Sequence, residues 1–277
     1  MSDQVDLARN RVIEELRSHS IDATPITESS KEGEKRPDVL VQDAFGPILI
    51  EVKTKLDADG YLAAMERQIN TQGHVVQSDR LKRLGAYSHV LDDAVDQLNA
   101  HADAPRALKL AWIECAGLDE NDQHMFWRYT AYGIGCVVDF AIEGRPSSGN
   151  GIFDIATVER SAHECDYFFE SDFHKYRNGL DGVLLAKSRD RTLLVNDRSP
   201  NATRALASCI ATRVATTVVE PVSAPWPGKR YLADCETDRA DNQKTLEYIA
   251  TKYGLGDPRV VPMQRHRIVM RPAKKAM

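Results

Sequence analysis

Two short apolar runs near the start of the chain limit its fold more than any other feature. They are DVLVQ (38–42) and PILIEVK (47–53), and the turn-like segment DAFGP joins them. Aliphatic and β-branched residues on both sides of a turn signal predict a β-hairpin. Because the runs are mostly apolar, the hairpin should lie inside a covered sheet rather than at a wet surface.

The segments around this hairpin alternate between helical and strand patterns. VDLARNRVIEELRSH (5–19) has Val5, Ala8, Val12 and Leu16 at helical spacing, with no Gly or Pro. The further predicted elements are a short strand in IDATPIT, a helix over 84–103, a strand over 107–115, a helix over 119–133 ended by Gly133 and a strand over 136–143. Residues 54–82 are polar and are predicted as a loop or a short helical insertion. This order indicates a mixed α/β sheet with helices packed on its faces.

The second half of the chain begins near residue 147, in the Pro, Ser and Gly-rich loop EGRPSSGNG. Beyond it, DGVLLAK and TLLVND are predicted to pair as a hairpin. The further predictions are a helix that starts at Ser199 and Pro200, a strand in TTVVEPV and a final helix ended by Gly254. This half either extends the first sheet or forms a separate lobe.

Composition limits the class of protein. The chain has 277 residues, enough for one large domain or for a domain with an appendage. Its start is charged, and no run approaches the roughly 18 apolar residues of a membrane span, so we expect a soluble cytoplasmic protein with no membrane partner. Five scattered cysteines without a CxxC pair predict buried, reduced thiols.

Charge and aromatic residues give weaker signals for nucleic acid. A formal net charge of −5 argues against coating nucleic acid by bulk electrostatics, but it allows a local basic groove. Each candidate segment is more often a solvated face: residues 31–36, Arg80 with Lys82 and Arg83, and the tail 259–275. The run Trp127-Arg128-Tyr129 could stack bases, although aromatic residues at helical spacing are more often core.

Three charges stand in or beside the hairpin. Side chains alternate along a strand, so Glu51 and Lys53 share one face about 6.6 Å apart, while Ile50 and Val52 share the other. Asp38 opens the neighbouring strand. In a sheet covered by helices these charges need partners, because an ionised carboxylate is costly to bury.

Two interpretations supply such partners. In the structural one, Glu51 and Lys53 pair with each other or with nearby ions, and Asp38 accepts backbone N–H bonds at the start of its strand. In the functional one, Asp38 and Glu51 converge as hard oxygen ligands for Mg²⁺, and the ammonium of Lys53 orients the attacking water and offsets charge on a phosphate.

The arrangement Pro37-Asp38, an apolar strand, a turn and then Glu51-Val52-Lys53 resembles the PD-(D/E)xK nuclease superfamily. The resemblance covers roughly residues 5–143 and implies a restriction-endonuclease-like mixed sheet flanked by helices. It divides the chain into a nuclease-like core, 1–146, and a C-terminal α/β extension or lobe, 147–277.

The resemblance also implies roles for individual residues. Asp38 and Glu51 would bind the metal with the backbone carbonyl of Val52, and Lys53 would be the catalytic lysine. Mg²⁺ is the expected cofactor, with Mn²⁺ able to substitute. Many members add an acid from the first helix, for which Glu15 is better placed than Glu14. Several add a glutamine from a later helix; Gln97 matches this role, and Gln68 is the alternative because the distance from Lys53 to Gln97 is long.

The expected function is therefore a metal-dependent nuclease, most simply a DNA endonuclease in restriction, phage defence or repair. One such site cuts one strand, so duplex cleavage predicts a homodimer or a second nick, and a partner protein is a further expectation. Two rival functions stay open. One is a non-catalytic module that keeps the fold and binds nucleic acid or protein. The other is an α/β enzyme of a different class with its site in the C-terminal half.

Overall fold

The computed structural model describes residues 2–27, 36–55, 61–116, 120–147, 152–221, 229–232, 234–235 and 238–270. Its helices are α1 (Ser2–Ser18), α2 (Tyr61–Gln72), α3 (Gly85–Ala100), α4 (Glu120–Tyr132), α5 (Asp172–Lys175), α6 (Ala202–Ala207) and α7 (Asn242–Tyr253), with a π-helical turn at Ile210–Val214. The helices predicted around α1, α3, α4 and α7 are confirmed. Gly133 and Gly254 end their helices with positive φ angles of 59° and 66°, which glycine adopts without strain.

The described strands form three sheets. They are β1 (Ala23–Pro25), β2 (Val39–Asp43), β3 (Gly46–Lys55), β4 (His74–Leu81), β5 (Leu108–Cys115), β6 (Gly135–Ser147), β7 (Ile152–Asp166), β8 (Gly182–Lys187), β9 (Asp190–Val195), β10 (Thr217–Val219), β11 (Lys229–Tyr231), β12 (Pro258–Val261) and β13 (Met263–Met270). The central sheet has the order β1-β2-β3-β5-β8-β9-β10. Strands β3, β5 and β8 are parallel, whereas β2 and β9 run against their neighbours β3 and β8. The predicted mixed α/β sheet is therefore confirmed.

Strands from the second half of the chain extend this central sheet. The predicted hairpin of β8 and β9 forms, and β8 pairs directly with β5. The predicted boundary near residue 147 lies at the end of β6, which pairs with β7 in a second sheet of order β11-β7-β6-β12. Hydrogen-bonded strands therefore continue across residue 147 in both sheets.

The polar segment before α3 contains the helix α2 and the strand β4. The helical insertion is confirmed, but the sequence pattern did not predict the strand. β4 pairs along its whole length with β13, from Leu81 opposite Met263 to His74 opposite Met270. We call this two-stranded sheet the β4–β13 ribbon. It joins two of the basic segments found in the sequence, since Arg80 lies opposite Gln264.

Helices cover both faces of the central sheet. On the α1 face, α1, α6 and the π-helical turn pack against residues that include Ile48, Ile50 and Val52 of β3. On the α3 face, α3 and α4 pack against a second cluster that includes Leu49 of β3 and Ala111 of β5. The alternation of β3 between these clusters is what strand geometry predicts. A charged residue on either face of β3 is therefore beneath a helix layer.

All five cysteines are buried as free thiols, as predicted. Within the described ranges, none of the helices combines the length and apolar character that crossing a bilayer requires.

Candidate active site

The hairpin of β2 and β3 fixes Asp38 against the second half of β3. The last pair of residues in the β2–β3 ladder is Val39 and Ile50. One residue before it, the N–H of Asp38 donates to the carbonyl oxygen of Ile50 at 3.1 Å, and Oδ2 of Asp38 accepts the N–H of Val52 at 2.8 Å. The carboxylate thus takes the place of the next strand residue in the ladder. Its position is set by backbone hydrogen bonds rather than by a flexible side chain alone.

Glu51 and Lys53 project together from the α3 face of β3. The Nζ atom of Lys53 lies 2.7 Å from Oε1 of Glu51. The Glu51 side chain is 3% exposed, whereas that of Lys53 is 26% exposed. Ala111 is the neighbour of Glu51 on β5, and its methyl group takes up little of the space beside the carboxylate. The pair therefore joins a buried anion to a cation that reaches solvent.

The carboxyl groups of Asp38 and Glu51 lie close enough for each to shift the pKa of the other. Burial is the main cause that raises the pKa of both groups. For Glu51 the negative charge of Asp38 raises the pKa further, to about 8, against the opposing effect of Lys53. For Asp38 the N–H bond from Val52 is the largest effect in the opposite direction. Two carboxyls that shift each other's pKa in this way favour a proton or a cation between them.

The donor set fits a hard cation that keeps open coordination positions. Oε2 of Glu51 is buried and accepts no hydrogen bond from a described residue. Mg²⁺ takes one or two carboxylates and retains several waters, so two carboxylates suffice for it. Among the residues that the structure describes, no group of three or more His, Cys, Asp or Glu side chains could hold a metal ion. Those residues therefore do not form a closed cage of the kind that structural zinc requires.

The carbonyl of Val52 points away from β5, toward the side of β3 where β2 lies. In a strand, the N–H and C=O of one residue point toward the same neighbouring strand, and this direction is shared by residues two apart. Ile50 and Val52 both direct these groups to the side of β2 and Asp38. Because β2 ends at Val39, opposite Ile50, it does not pair with Val52. The carbonyl oxygen of Val52 thus points toward the edge where Asp38 lies.

Arg9 of α1 is a contributor that the sequence reasoning missed. Its positive charge, with that of Lys53, acts to lower the pKa of Asp38 against the larger effect of burial. The signal was present in the sequence, because Arg9 precedes Val12 and Ile13 by three and four residues and so shares their helical stripe. A positive side chain of α1 therefore contributes to the electrostatics of the carboxylate pair.

Glu15 forms an ion pair with Arg191, away from the carboxyls of Asp38 and Glu51. Its carboxylate accepts two hydrogen bonds from Arg191 of β9, at 2.6 Å and 2.8 Å. Arg191 alternates with Leu193 and Val195, which pack on the α1 face. Glu51 and Lys53 project from the other face of the sheet. The structure therefore brings Glu15 to Arg191 and does not bring it to the predicted metal ligands.

Gln97 likewise makes its hydrogen bond within its own helix. Its side-chain Nε2 donates to the carbonyl of Asp93 at 3.4 Å. Two residues later, Asn99 accepts a bond from Lys109, at the start of β5 and opposite Leu49. This contact places the C-terminal end of α3 over the beginning of β3 and β5. Gln68, the alternative, is exposed on α2.

A comparison of the chain with known protein families, curated proteins and solved structures found no match.

Proposed function

We propose that this chain is a metal-dependent nuclease that hydrolyses phosphodiester bonds, most simply a DNA endonuclease. The observation that supports this proposal is the closeness of the partly buried carboxyl of Asp38 to the buried carboxyl of Glu51, with Lys53 beside them. A structural ion pair between Glu51 and Lys53 would be complete without a second acid. The second carboxyl raises the electrostatic energy of the site, which is a common property of catalytic centres.

Asp38, Glu51 and the carbonyl of Val52 are the residues that would hold Mg²⁺ or Mn²⁺. When bound, such an ion supplies Lewis-acid stabilisation of the charge that develops on the phosphate. Asp38 is oriented for this role by the N–H of Val52. Lys53 touches the buried carboxylate yet remains partly exposed, so its ammonium can donate to an attacking water and offset negative charge on the phosphate.

The resemblance to PD-(D/E)xK nucleases supports the wider setting of this proposal. It favours a restriction-endonuclease-like fold for residues 5–143 and a cytoplasmic role in restriction, phage defence or repair. One catalytic trio acts on one strand at a time, so we infer a homodimer for cleavage of a duplex. A partner protein that selects the substrate is compatible with the same site.

A cleavage assay tests the proposal directly. Supercoiled plasmid, single-stranded DNA and RNA are each incubated with Mg²⁺, Mn²⁺ or EDTA. We expect nicking of DNA that depends on the metal ion and falls by about 100-fold or more in Lys53→Ala, because a charge that stabilises the transition state is removed. Glu51→Gln should lose activity to a similar extent.

Lys175→Ala is the matched control, because Lys175 is an exposed lysine that forms an ion pair with Asp92 at 2.8 Å. It should cleave as the wild type does. Cleavage that persists in both Lys53→Ala and Glu51→Gln would contradict the proposed mechanism. DNA binding by the wild type without cleavage under either metal ion would instead support the non-catalytic binding module.

A further inference from the structure

A cleft of about 540 Å³ lies where the β4–β13 ribbon meets the rest of the chain. Its walls come from the end of β4, α4, the start of β6, the residues before α7 and the junction of β12 with β13. Sites of this volume accommodate small molecules or single units of a polymer. None of the proposed metal ligands lines this cleft. It is therefore a separate candidate site.

The cleft is basic because its lining includes Arg80, Lys82, Arg83 and Arg239. Arg80 and Lys82 are exposed and form no ion pair with a described residue. Arg83 is held by the buried carboxylate of Asp172 at 2.7 Å. The acidic side chain of the lining, Glu170, is 72% exposed. Among the described residues, Arg80 and Lys82 thus leave positive charge at the cleft without a paired carboxylate, in a protein of net charge −5.

Tyr129 is a buried residue of the cleft lining. Its side chain is buried, with 4% of the residue exposed, and its hydroxyl makes no hydrogen bond with a described residue. A buried hydroxyl without a partner costs free energy, which a ligand atom that accepts or donates a hydrogen bond would recover. Around Tyr129 the lining is apolar and includes Ile134, Phe169 and Val260.

We propose that this cleft binds one nucleotide unit. Its phosphate would lie against Arg80 and Lys82, its base against the apolar wall, and a polar edge of the base against the hydroxyl of Tyr129. A cation pair alone would suit any anion, whereas the buried hydroxyl and the apolar wall favour a ligand with a flat, partly polar body. A nucleotide combines both parts.

The nucleotide unit has two sources with the same chemistry. It can belong to a nucleic-acid strand, in which case the cleft holds part of the substrate; this version rests on the proposed nuclease function. It can also be a free nucleotide that binds without any strand. The two sources are distinguished by comparing single nucleotides with an oligonucleotide.

Binding is measured in EDTA so that the result does not depend on catalysis. The probes are a fluorescent single-stranded oligonucleotide, followed by anisotropy, and each of the four deoxynucleoside 5′-monophosphates, followed by calorimetry. We expect the double variant Arg80→Ala/Lys82→Ala to bind about tenfold or more weakly to whichever of these probes the wild type binds. For the oligonucleotide, the slope of log affinity against log salt should decrease in magnitude by about 1.4, or 0.7 per lost phosphate contact.

Tyr129→Phe distinguishes the cleft from a basic surface, because it removes one hydroxyl and keeps the ring. We expect it to weaken binding by about 2- to 10-fold, the range for one neutral hydrogen bond. Arg106→Ala is the matched control: Arg106 is 74% exposed, pairs with Asp103 and lies before β5, away from the cleft. It should bind within about twofold of the wild type, since exposed paired charges contribute little.

Each result decides the proposal. Monophosphate binding that the double variant and Tyr129→Phe weaken supports a free nucleotide, and the same response limited to the oligonucleotide supports a strand. A loss in the double variant with no change in Tyr129→Phe overturns the proposal, since it indicates surface phosphate contacts alone. Absence of binding to either probe by the wild type overturns it as well. If the wild type binds the nucleotide but shows no metal-dependent cleavage, only the nuclease proposal is contradicted.

Discussion

At the scale of single residues, Glu51 is a buried acid whose surroundings favour its neutral form. Its carboxylate lies near the carboxyl of Asp38, one of its oxygens has no donor among the described residues, and Lys53 is the cation that stabilises its ionised form. Sites arranged for chemistry commonly reduce stability in this way, because the same charges that serve the reaction are costly to bury. The cost should be visible in how stability depends on pH.

We predict that the metal-free protein loses stability as the pH rises from about 4.5 to about 8. Glu51 has a reference pKa of 4.5 and a folded-state pKa of about 8, raised first by burial and then by Asp38. Between these values the folded state binds more protons than the unfolded state, so the contribution of Glu51 to the free energy of unfolding decreases with increasing pH. Below and above this window the contribution is constant.

Glu51→Gln should remove this contribution, because the amide does not ionise. In EDTA at pH 8 the variant should melt higher than the wild type, by roughly 2–4 °C for each kcal/mol relieved. Denaturant titrations at pH 5, 6.5 and 8 measure the slope, and Glu247→Gln on α7, an exposed position, should leave it unchanged. A Glu51→Gln variant that is less stable than the wild type at every pH would contradict the prediction.

Much of the site at this scale follows from the sequence. The spacing of Asp38, Glu51 and Lys53, with the alternation of strands, places the charges on one face and the acid on the next strand. The partner of Glu15 does not follow, because Arg191 is 176 residues away along the chain. The hydrogen bond of Gln97 to the carbonyl of Asp93 does not follow either. A helix periodicity predicts which face is buried, but not which end of the helix lies over the charged end of a strand.

At the scale of elements, the ion pair between Glu15 and Arg191 joins α1 to β9. We predict that Glu15→Gln lowers the free energy of unfolding by about 1 kcal/mol, because it weakens a bidentate and only partly exposed pair. Metal-dependent cleavage, if present, should stay within about twofold of the wild type, since Glu15 lies on the α1 face. A loss of cleavage comparable to that of Glu51→Gln would show that Glu15 has the catalytic role that the resemblance implies.

The two glycines that end α4 and α7 offer a second element-scale prediction. Both have positive φ, but a Cβ on Gly133 would collide with the carbonyl oxygens of Phe169 and Glu170, whereas a Cβ on Gly254 meets no atom within 4 Å. Gly254→Ala should cost about 1 kcal/mol, from backbone strain alone. Gly133→Ala should cost about 3 kcal/mol or more, because backbone must also move. Equal losses in chemical denaturation would contradict this difference.

The sequence pattern missed β4 and β7 for different reasons. β4 is largely polar, and its partner β13 lies far along the chain. β7 pairs with its chain neighbour β6, but β6 ends at Ser147 and β7 begins at Ile152, on either side of residues interpreted as a boundary. Strand patterns are set largely by what covers each face, so a polar strand at the margin of the molecule carries little periodic signal.

At the scale of the whole molecule, the central sheet depends on both halves of the chain. β8 covers the edge of β5, and β9 and β10 follow it, while β7 provides the partner of β6. An unpaired central strand exposes backbone groups and apolar side chains. The core and the extension predicted from the sequence therefore share one sheet.

We predict that a fragment of residues 1–146 does not fold by itself. Without β8, the edge of β5 loses its hydrogen-bonded neighbour, and Trp112 and Ile113, which are buried in the complete chain, lose part of their cover. Circular dichroism and denaturant titration of the fragment should show no cooperative transition, in contrast to the complete chain. A cooperative transition in the fragment would instead support residues 1–146 as an independent domain.

The sequence by itself determined the α/β class, the hairpin and the meeting of Asp38, Glu51 and Lys53. These features depend on local periodicity and on strands that are close in the chain, so short-range geometry is sufficient. Only the tertiary structure decided that Glu15 pairs with Arg191, that β8 extends the sheet and that Arg80 and Lys82 line a cleft with Tyr129. Each of these contacts joins segments far apart in sequence, and packing of the whole chain, rather than local pattern, selects them.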